Sequence, residues 1–474
     1  MKTPLKTSAC LSPTWDSGND ESAAHIHAAS LALLMDPGVR IEHDGIGQKL
    51  LKAGAKTGTS TQVIRFPKGL VAECIEQAPS EVSLADRRDG GRSIASGGES
   101  LIWSVPGMNI VRHGKHRPFT SADMADLAHL LDQLPNVDGV FGLSMEDVPP
   151  AARDVVGLRI MAENTAKHIR VLCFTPKGAE ALCEIRQIVD DNAWFSIGFT
   201  AHGPLRWTAL ALNIFERTAG HGIPTTINGE PMAGASAPCT LAGAAAVGNA
   251  EILAGLVVNQ ILEPGRPCIY NLGLAHIFDM RAAIAVTGAP ENHLLAAISA
   301  AMGVFYNLPS CSWVSTEAMR PDSQAALEKA IGFQTHMRNG VSLIWGVGQL
   351  ESEMTVCPAQ AVIDDDIVGY VKRYLRGVEV NDDALAVDVT RQVGIGGSFL
   401  SEEHTLKNFR KEFFEPSLLF RGTREAWKAA GSKPLHEAAE QKADQLIAAD
   451  RVPLLNEEKK EALLRLEDDF LEKC

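Results

Sequence analysis

Ile223-Pro-Thr-Thr-Ile-Asn-Gly-Glu-Pro-Met-Ala-Gly-Ala-Ser-Ala-Pro-Cys-Thr-Leu-Ala-Gly243 carries the reading of the fold. Its first part, Ile223 to Glu230, is a short β-branched run bounded by Gly and Pro, which predicts a strand. Gly234, Ala235, Ser236 and Ala237 follow with almost no side-chain bulk. Such a run belongs where something must approach the backbone, or where a strand turns tightly into a helix. Pro238 then sits where a helix can start, and Thr240 can cap its first turn. A strand, a bare turn and a helix N-terminus together make one βα unit, the kind that builds active-site loops in barrel enzymes.

The same unit recurs on both sides. Val137 to Leu143, Ile169 to Phe174 and Phe195 to Thr200 predict strands, followed by helices over Ala152 to Ala166, Gly178 to Asp190 and Trp207 to Gly220. Beyond the bare turn, strands at Cys268 to Leu272, Cys311 to Ser315 and Val341 to Trp345 precede helices over Glu291 to Phe305, Ser323 to Arg338 and Ala361 to Leu375. These are seven βα pairs, and a count near eight predicts an α/β chain closed as a (β/α)8 TIM barrel over residues 118–376. Asn109 to His113 is a candidate for the missing strand, and a doubly wound open sheet is the alternative, because periodicity does not prove closure. Residues 1–117 read as an N-terminal α+β extension, with helices over Glu21 to Met35, Ile46 to Ala53 and Lys68 to Gln77. Strands there are expected at Val63 to Phe66, Glu81 to Asp86 and Glu99 to Val105. Residues 377–474 turn helical and charged and read as a C-terminal helical region packed on the barrel; within it 424–474 is an amphipathic, lysine- and glutamate-rich tail that reads as a surface-packed helical layer or an oligomer contact.

Composition narrows the function. The 474 residues are 45 % hydrophobic and 22 % charged, as in an ordinary globular enzyme. A net charge of −14 with no basic stripe argues against nucleic acid and is compatible with a cationic small substrate. The nine cysteines are scattered, without a CxxC pair, which fits reduced cytosolic thiols and gives no support to zinc. The start, MKTPLKTSAC, lacks the apolar core of a signal peptide, so a cytoplasmic protein is expected. The longest apolar tract, Cys239 to Leu262, includes Asn249, Glu251, Asn259 and Gln260, and reads as a buried helix and not as a membrane span.

In a barrel the active site lies at the C-terminal strand ends. Those ends carry Asn228 and Glu230, then Tyr270, Asn271, His276 and Asp279, then Trp313, Thr316 and Glu317, and finally Trp345, Gln349 and Glu351. His202, Glu146 and Asp147 follow earlier strands. Aromatic faces beside carboxylates are what a quaternary ammonium ion needs, since it donates no hydrogen bond and is held by cation–π contact and charge. Taken singly, each aromatic reads more readily as core. Glu230, Tyr270, His276, Trp313, Trp345, Gln349 and Glu351 are the candidate substrate-binding set, with no acid or base assigned. Gly234, Ala235, Ser236 and Ala237 are the candidate cofactor-facing turn. Gly394 to Ser398 lacks a phosphate-loop context and reads as a turn, and His113 with His116 as a solvated pair. Asp364-Asp-Asp366 reads as the acidic start of a helix.

Several stretches, in order along most of the chain, carry a resemblance. They are Ile26-His-Ala-Ala-Ser-Leu31, Pro231 to Pro238 with Thr240-Leu-Ala-Gly243, Asn249-Ala-Glu-Ile-Leu-Ala-Gly255 and Thr287-Gly-Ala-Pro-Glu291. Lys372-Arg-Tyr-Leu-Arg-Gly-Val-Glu379, Gly396-Gly-Ser-Phe-Leu400 and His404-Thr-Leu-Lys407 complete them. The chain resembles the trimethylamine methyltransferase family, and especially its branch without pyrrolysine, which includes glycine betaine methyltransferase. The resemblance implies a (β/α)8 barrel that moves a methyl group from a methylated amine to the cob(I)alamin of a separate corrinoid protein. It implies no bound metal or nucleotide, and a homo-oligomer. The trimethylamine enzyme carries pyrrolysine, whereas every residue here is standard, which favours a quaternary amine such as a betaine. Many relatives show a His-Asp pair where this chain reads Ile344-Trp-Gly-Val-Gly348, so the amine stays open between glycine betaine and other quaternary amines; the alternatives are the same fold acting on another methyl donor, such as a tertiary amine or a sulfonium, or a quaternary-amine binding barrel without catalysis.

Overall fold

Eight parallel strands close into a barrel in the computed structural model, which describes residues 20–88 and 90–473. They are β1 (Leu101–Ser104), β2 (Gly139–Phe141), β3 (His168–Arg170), β4 (Phe195–Thr200), β5 (Thr225–Asn228), β6 (Cys268–Gly273), β7 (Ser310–Trp313) and β8 (Leu343–Val347). They neighbour one another in chain order, and β8 pairs back onto β1 through Trp345 and Trp103. One helix follows each strand: α1 (Ser121–Gln133), α2 (Arg153–Asn164), α3 (Pro176–Val189), α4 (Ala209–Thr218), α5 (Leu241–Leu262), α6 (Pro290–Tyr306), α7 (Ser323–Arg338) and α8 (Pro358–Leu375). Strands walled by helices outside and filled by side chains inside are apolar on both faces, which is why their alternation was readable.

The barrel therefore begins at Leu101, N-terminal to the boundary expected at 117/118. Its missing strand is Leu101–Ser104, which the sequence assigned to the extension, and not Asn109 to His113. Asn109–Arg112 pairs instead with Lys115–Pro118 and Thr355–Val356 in a small sheet beside the barrel. Strand character was legible in both segments, but which one enters the barrel is decided by pairing with a partner over 200 residues away.

The N-terminal end of the barrel is plugged. A hairpin, Glu81–Leu84 with Arg92–Ala95, sends Val82, Leu84 and Ile94 into a buried cluster with Trp103, Phe141, Ile269, Cys311, Trp313, Leu343 and Trp345. Helix Asp20–Met35 lies on α5, where Ser30 Oγ donates to the Ala246 carbonyl at 2.8 Å. Leu241–Leu262 is the one described helix long and apolar enough to cross a membrane, and 83 % of its apolar window is buried inside the fold. The opening MKTPLKTSAC stretch, including Cys10, and also Cys474, lie outside the described residues.

Two expectations of local structure change. Thr240 is the residue before α5, but its side chain makes no capping bond. Asp364-Asp-Asp366 lies in the middle of α8 and not at its start. Its three carboxylates pin three different elements. Asp364 accepts from the Gly348 amide, Asp365 from the Asn136 amide, and Asp366 from the amides of Ser417, Leu418 and Leu419.

Candidate functional site

Parity along each strand decides which of the expected residues reach the barrel interior. On β6, Ile269 joins the interior cluster, whereas Cys268, Tyr270 and Leu272 belong to the outer core between sheet and helices. Tyr270 thus leaves the site. Its hydroxyl donates to Asn249 Oδ1 of α5 at 2.9 Å, and its ring lies 5.7 Å from that of Tyr306. Its neighbour Asn271 bonds toward the next strand. Asn271 Nδ2 donates to Asn228 Oδ1 at 2.9 Å, and Asn228 Nδ2 donates to Thr200 Oγ1 at 3.0 Å. This amide chain crosses β4, β5 and β6 at their C-terminal ends.

Trp313, Trp345 and Trp103 sit level with one another on β7, β8 and β1. Trp313 and Trp345 are each only 3 % exposed, so both form the floor of the barrel and not an open cage. A cation already occupies that floor. The Arg170 guanidinium of β3 lies 5.1 Å from the centre of the Phe141 ring and 5.9 Å from that of Trp345. It is fully enclosed, donates to Thr226 Oγ1 at 3.3 Å, and has no carboxylate partner among the described residues. Burial draws its pKa down to about 9. Gly198 makes room for it, since a Cβ there would stand 1.8 Å from the guanidinium. Sequence reading missed Arg170 because an arginine inside a strand carries no local mark of facing the interior.

Charge of the opposite sign gathers above. Glu230 follows β5 and keeps some accessible surface although protein crowds it on nearly every side. Burial raises its carboxyl to about 7. Glu251 projects from the middle of α5, and its Oε1 accepts from the Leu205 amide at 2.8 Å. Burial raises it to about 7 against that hydrogen bond, and repulsion from Glu230 adds to the rise. Glu353 belongs to the turn after β8, where Glu351, Ser352 and Glu353 all have positive φ, at 53°, 50° and 84°. Burial, and then Glu230, lifts its carboxyl to about 8. Three consecutive non-glycine residues in the left-handed region are costly, and such strain concentrates at functional sites. No basic side chain lowers any of the three carboxyls. Glu251 Oε2, Asn271 Oδ1 and Gln349 Oε1 are in addition buried acceptors without a partner. Unpaired acceptors fit a cation that donates nothing, while the indole N–H groups of Trp103, Trp313 and Trp345 on the floor are buried donors without a partner.

The remaining candidates are placed as follows. Gln349 is buried, and its Nε2 donates to Ser315 Oγ at 2.7 Å. His276 is buried in a strand beside the bare turn, where burial lowers its pKa and Glu317 raises it in part. Glu351 turns to the side sheet, accepting from Thr355 Oγ1 at 2.6 Å with His116 Nε2 at 3.4 Å, so it does not join the carboxylate group. Glu317 ties loops together through the amides of Thr287 and Gly288. Asp279 caps its own turn through the Arg281 amide, and His202, Glu146 and Asp147 are exposed. The turn Gly234 to Ala237 folds back on Met232, whose carbonyl accepts from the amides of Ala235, Ser236 and Ala237. Ala235, Pro238 and Cys239 of this loop are exposed, a low ridge next to the Glu251 side of the mouth. Glu251 and Glu353 escaped sequence reading because one lies mid-helix and the other in a turn without a motif.

The family model for trimethylamine methyltransferase (MTTB) matches residues 5–473. The chain belongs to the trimethylamine methyltransferase family. Within it, the chain is 30 % identical over 445 residues to the trimethylamine methyltransferase MttB of Desulfitobacterium hafniense (strain DSM 10664 / DCB-2), covering 90 % of this chain and 88 % of that one. It is 26 % identical to the glycine betaine methyltransferase of Desulfitobacterium hafniense (strain Y51), covering 88 % and 89 %. Among solved structures, the hydroxylamine complex of MtmB shares the fold at a TM-score of 0.50 and 13 % identity, over 90 % of this chain and 92 % of that one. The expected barrel and the expected family are both met by these findings.

Proposed function

We propose that this trimethylamine methyltransferase family member moves a methyl group from a quaternary amine, betaine-like in class, to the cob(I)alamin of a separate corrinoid protein. The observation that carries this reading is the convergence of Glu230, Glu251 and Glu353 with no cation among them. Such a group is unfavourable when empty and is relieved by a permanent positive charge. Two named relatives act on methylated amines by their descriptions, one on trimethylamine and one on glycine betaine. The all-standard sequence favours the second kind of substrate.

When bound, the partner's corrinoid would supply the nucleophile that accepts the methyl carbon. The chain's own residues have three tasks. The carboxylates hold the ammonium and the buried wall around them excludes water. The Thr200, Asn228 and Asn271 amide chain keeps the mouth rigid, so that one methyl is presented in a fixed direction. The Gly234 to Ala237 turn, exposed at Ala235, adds no bulky side chain that would obstruct a flat macrocycle. The C–N electron pair stays with nitrogen, so the amine leaves neutral and needs no proton from the protein.

The test mixes pure protein with cob(I)alamin and a panel of methylated amines. Loss of cob(I)alamin absorbance is expected with quaternary amines and not with a neutral carbon isostere, and chelators should leave the rate unchanged. If the isostere binds as tightly as the ammonium compounds, the cationic site is refuted. Tight binding without any methyl transfer would refute the catalytic part alone.

A further inference from the structure

Polarity reverses between the mouth of the barrel and its floor. At the mouth the buried atoms in want of a partner are acceptors, Glu251 Oε2, Asn271 Oδ1 and Gln349 Oε1. At the floor they are donors. The indole Nε1 atoms of Trp103, Trp313 and Trp345, and Nε of Arg170, have no acceptor among the described residues. Strands β1, β3, β7 and β8 supply these side chains. Trp313 is the last residue of β7 and Trp345 pairs level with it, so two of the indoles stand at the side of the floor that faces the mouth. A buried N–H without an acceptor is rare, and four in one barrel interior call for an acceptor from outside the chain.

The charges divide in the same way. Arg170 gives its terminal nitrogens to neutral groups, the Val171 carbonyl and Thr226 Oγ1, which leaves three of its five N–H donors. The titratable groups that act on it are the thiols of Cys311 and Cys173. Burial raises both well above the ordinary thiol value and keeps them uncharged. No carboxylate is among them. Thr226, which receives Arg170, precedes Glu230 by four residues, ~13 Å along an extended strand. The barrel thus holds an unpaired cation at its floor and unpaired carboxyls at its mouth, and the two do not neutralise each other. An arginine buried without a counter-charge is costly, and an apolar side chain of similar size would pack the same floor without that cost.

We propose that Arg170, with the indole N–H groups of Trp313 and Trp345, binds the carboxylate of a zwitterionic substrate whose ammonium lies among Glu230, Glu251 and Glu353. The proposal rests on the reading of the mouth as a quaternary ammonium site and adds the opposite pole. Nε and one terminal nitrogen of a guanidinium take a carboxylate side-on in two parallel bonds, and each indole adds one more donor. A substrate held at both poles lies end-on, with its anion at the floor and its ammonium toward the opening, which aims one methyl outward. A plain ammonium ion meets only the upper pole and is left free to turn.

The test is calorimetry on the full chain at about pH 8, where Arg170 keeps its proton. It compares trimethylammonio carboxylates with one, two or three methylenes against their methyl esters and against tetramethylammonium. The acid that fits best should bind about tenfold tighter than its own ester. Arg170→Met should erase that difference and leave tetramethylammonium binding unchanged. It should not lower stability in urea, because it removes an unpaired charge. Arg170→Lys, which keeps the charge without the side-on fork, should retain only part of the preference and serves as the second variant. An acid and ester that bind alike, or a ratio unchanged in both variants, would overturn the proposal and leave the ammonium site standing. So would a variant that weakens tetramethylammonium as much as the acid, since Arg170 would then only shape the mouth. A chain that binds none of these compounds would overturn both readings.

Discussion

Glu230 and Glu251 hold protons up to about pH 7 and Glu353 up to about 8. A permanent cation binds the ionised forms and expels those protons. Affinity for a quaternary ammonium should therefore strengthen as pH rises from about 6 to 9. Calorimetry in buffers of different ionisation enthalpy should register proton release near pH 7, and a flat profile would remove the carboxylates from the site. Glu230→Gln should weaken that affinity by about tenfold, or ~1.4 kcal/mol, and flatten the pH profile. Titration of a neutral isostere, unchanged in the same variant, separates charge from shape. For Trp345→Ala the sequence alone predicts a larger effect on substrate use than on folding. The 3 % exposure of Trp345 under Arg170 points the other way. Removing the indole should cost about 3–5 kcal/mol in urea unfolding, and a loss below 1 kcal/mol would show that its ring is not part of the packed floor.

At the scale of elements, the mouth depends on how β8 ends. Gly346 has φ 151°, and the register slips between Trp345 and Val347. Lys329 of α7 enters the gap. Its ammonium bonds the carbonyls of Val314 and Gly346 and lies 3.5 Å from Asp364 of α8, with both side chains fully buried. Burial lowers the Lys329 pKa and raises that of Asp364, each opposed by the partner's charge. Lys329→Met would strand a buried carboxylate and two carbonyls. A loss of about 3–5 kcal/mol is expected by chemical denaturation, and Lys329→Met/Asp364→Leu should recover part of it. If the single and double variants are equally unstable, the pair is not coupled. Gly348, Gln349 and the Glu351 to Glu353 turn follow this joint directly, so a loosened joint should also raise KM.

For the whole molecule, the carboxylate group makes stability depend on pH and ligand together. Glu230, Glu251 and Glu353 are raised in the folded state above the ordinary glutamate value near 4.5. Between that value and about 8 these three groups bind more protons in the folded chain than in the unfolded one, so the contribution they make to stability falls as pH rises through this window. The Tm of the wild-type chain relative to that of Glu230→Gln should decrease from about pH 5 to 8, and the Tm gain from a saturating quaternary ammonium should grow over the same range. A ligand gain independent of pH would contradict the linkage. Residues 377–438 should exchange their amides faster than the barrel strands, because none of them is fully buried.

The alternation of apolar strands with helices is local information, so seven of the eight barrel strands were legible, and so were the strand ends where chemistry sits. Phe195–Thr200 and Ser323–Arg338 match their expected bounds, because β-branched and aromatic runs or helical periodicity with an Asp cap mark them without help from the rest of the chain. The residues that make the mouth what it is were decided by closure. Whether Tyr270 or Asn271 faces inward is a matter of one residue's parity. The meeting of Glu230, Glu251 and Glu353 joins a strand end, the middle of the helix that follows it and a left-handed turn more than 100 residues further along the chain. The seat of Arg170 over Trp345 needs the gap at Gly198 on a third strand. Strand and helix propensity act within a few residues, whereas burial, charge repulsion and ring stacking act between groups that only the closed barrel brings together.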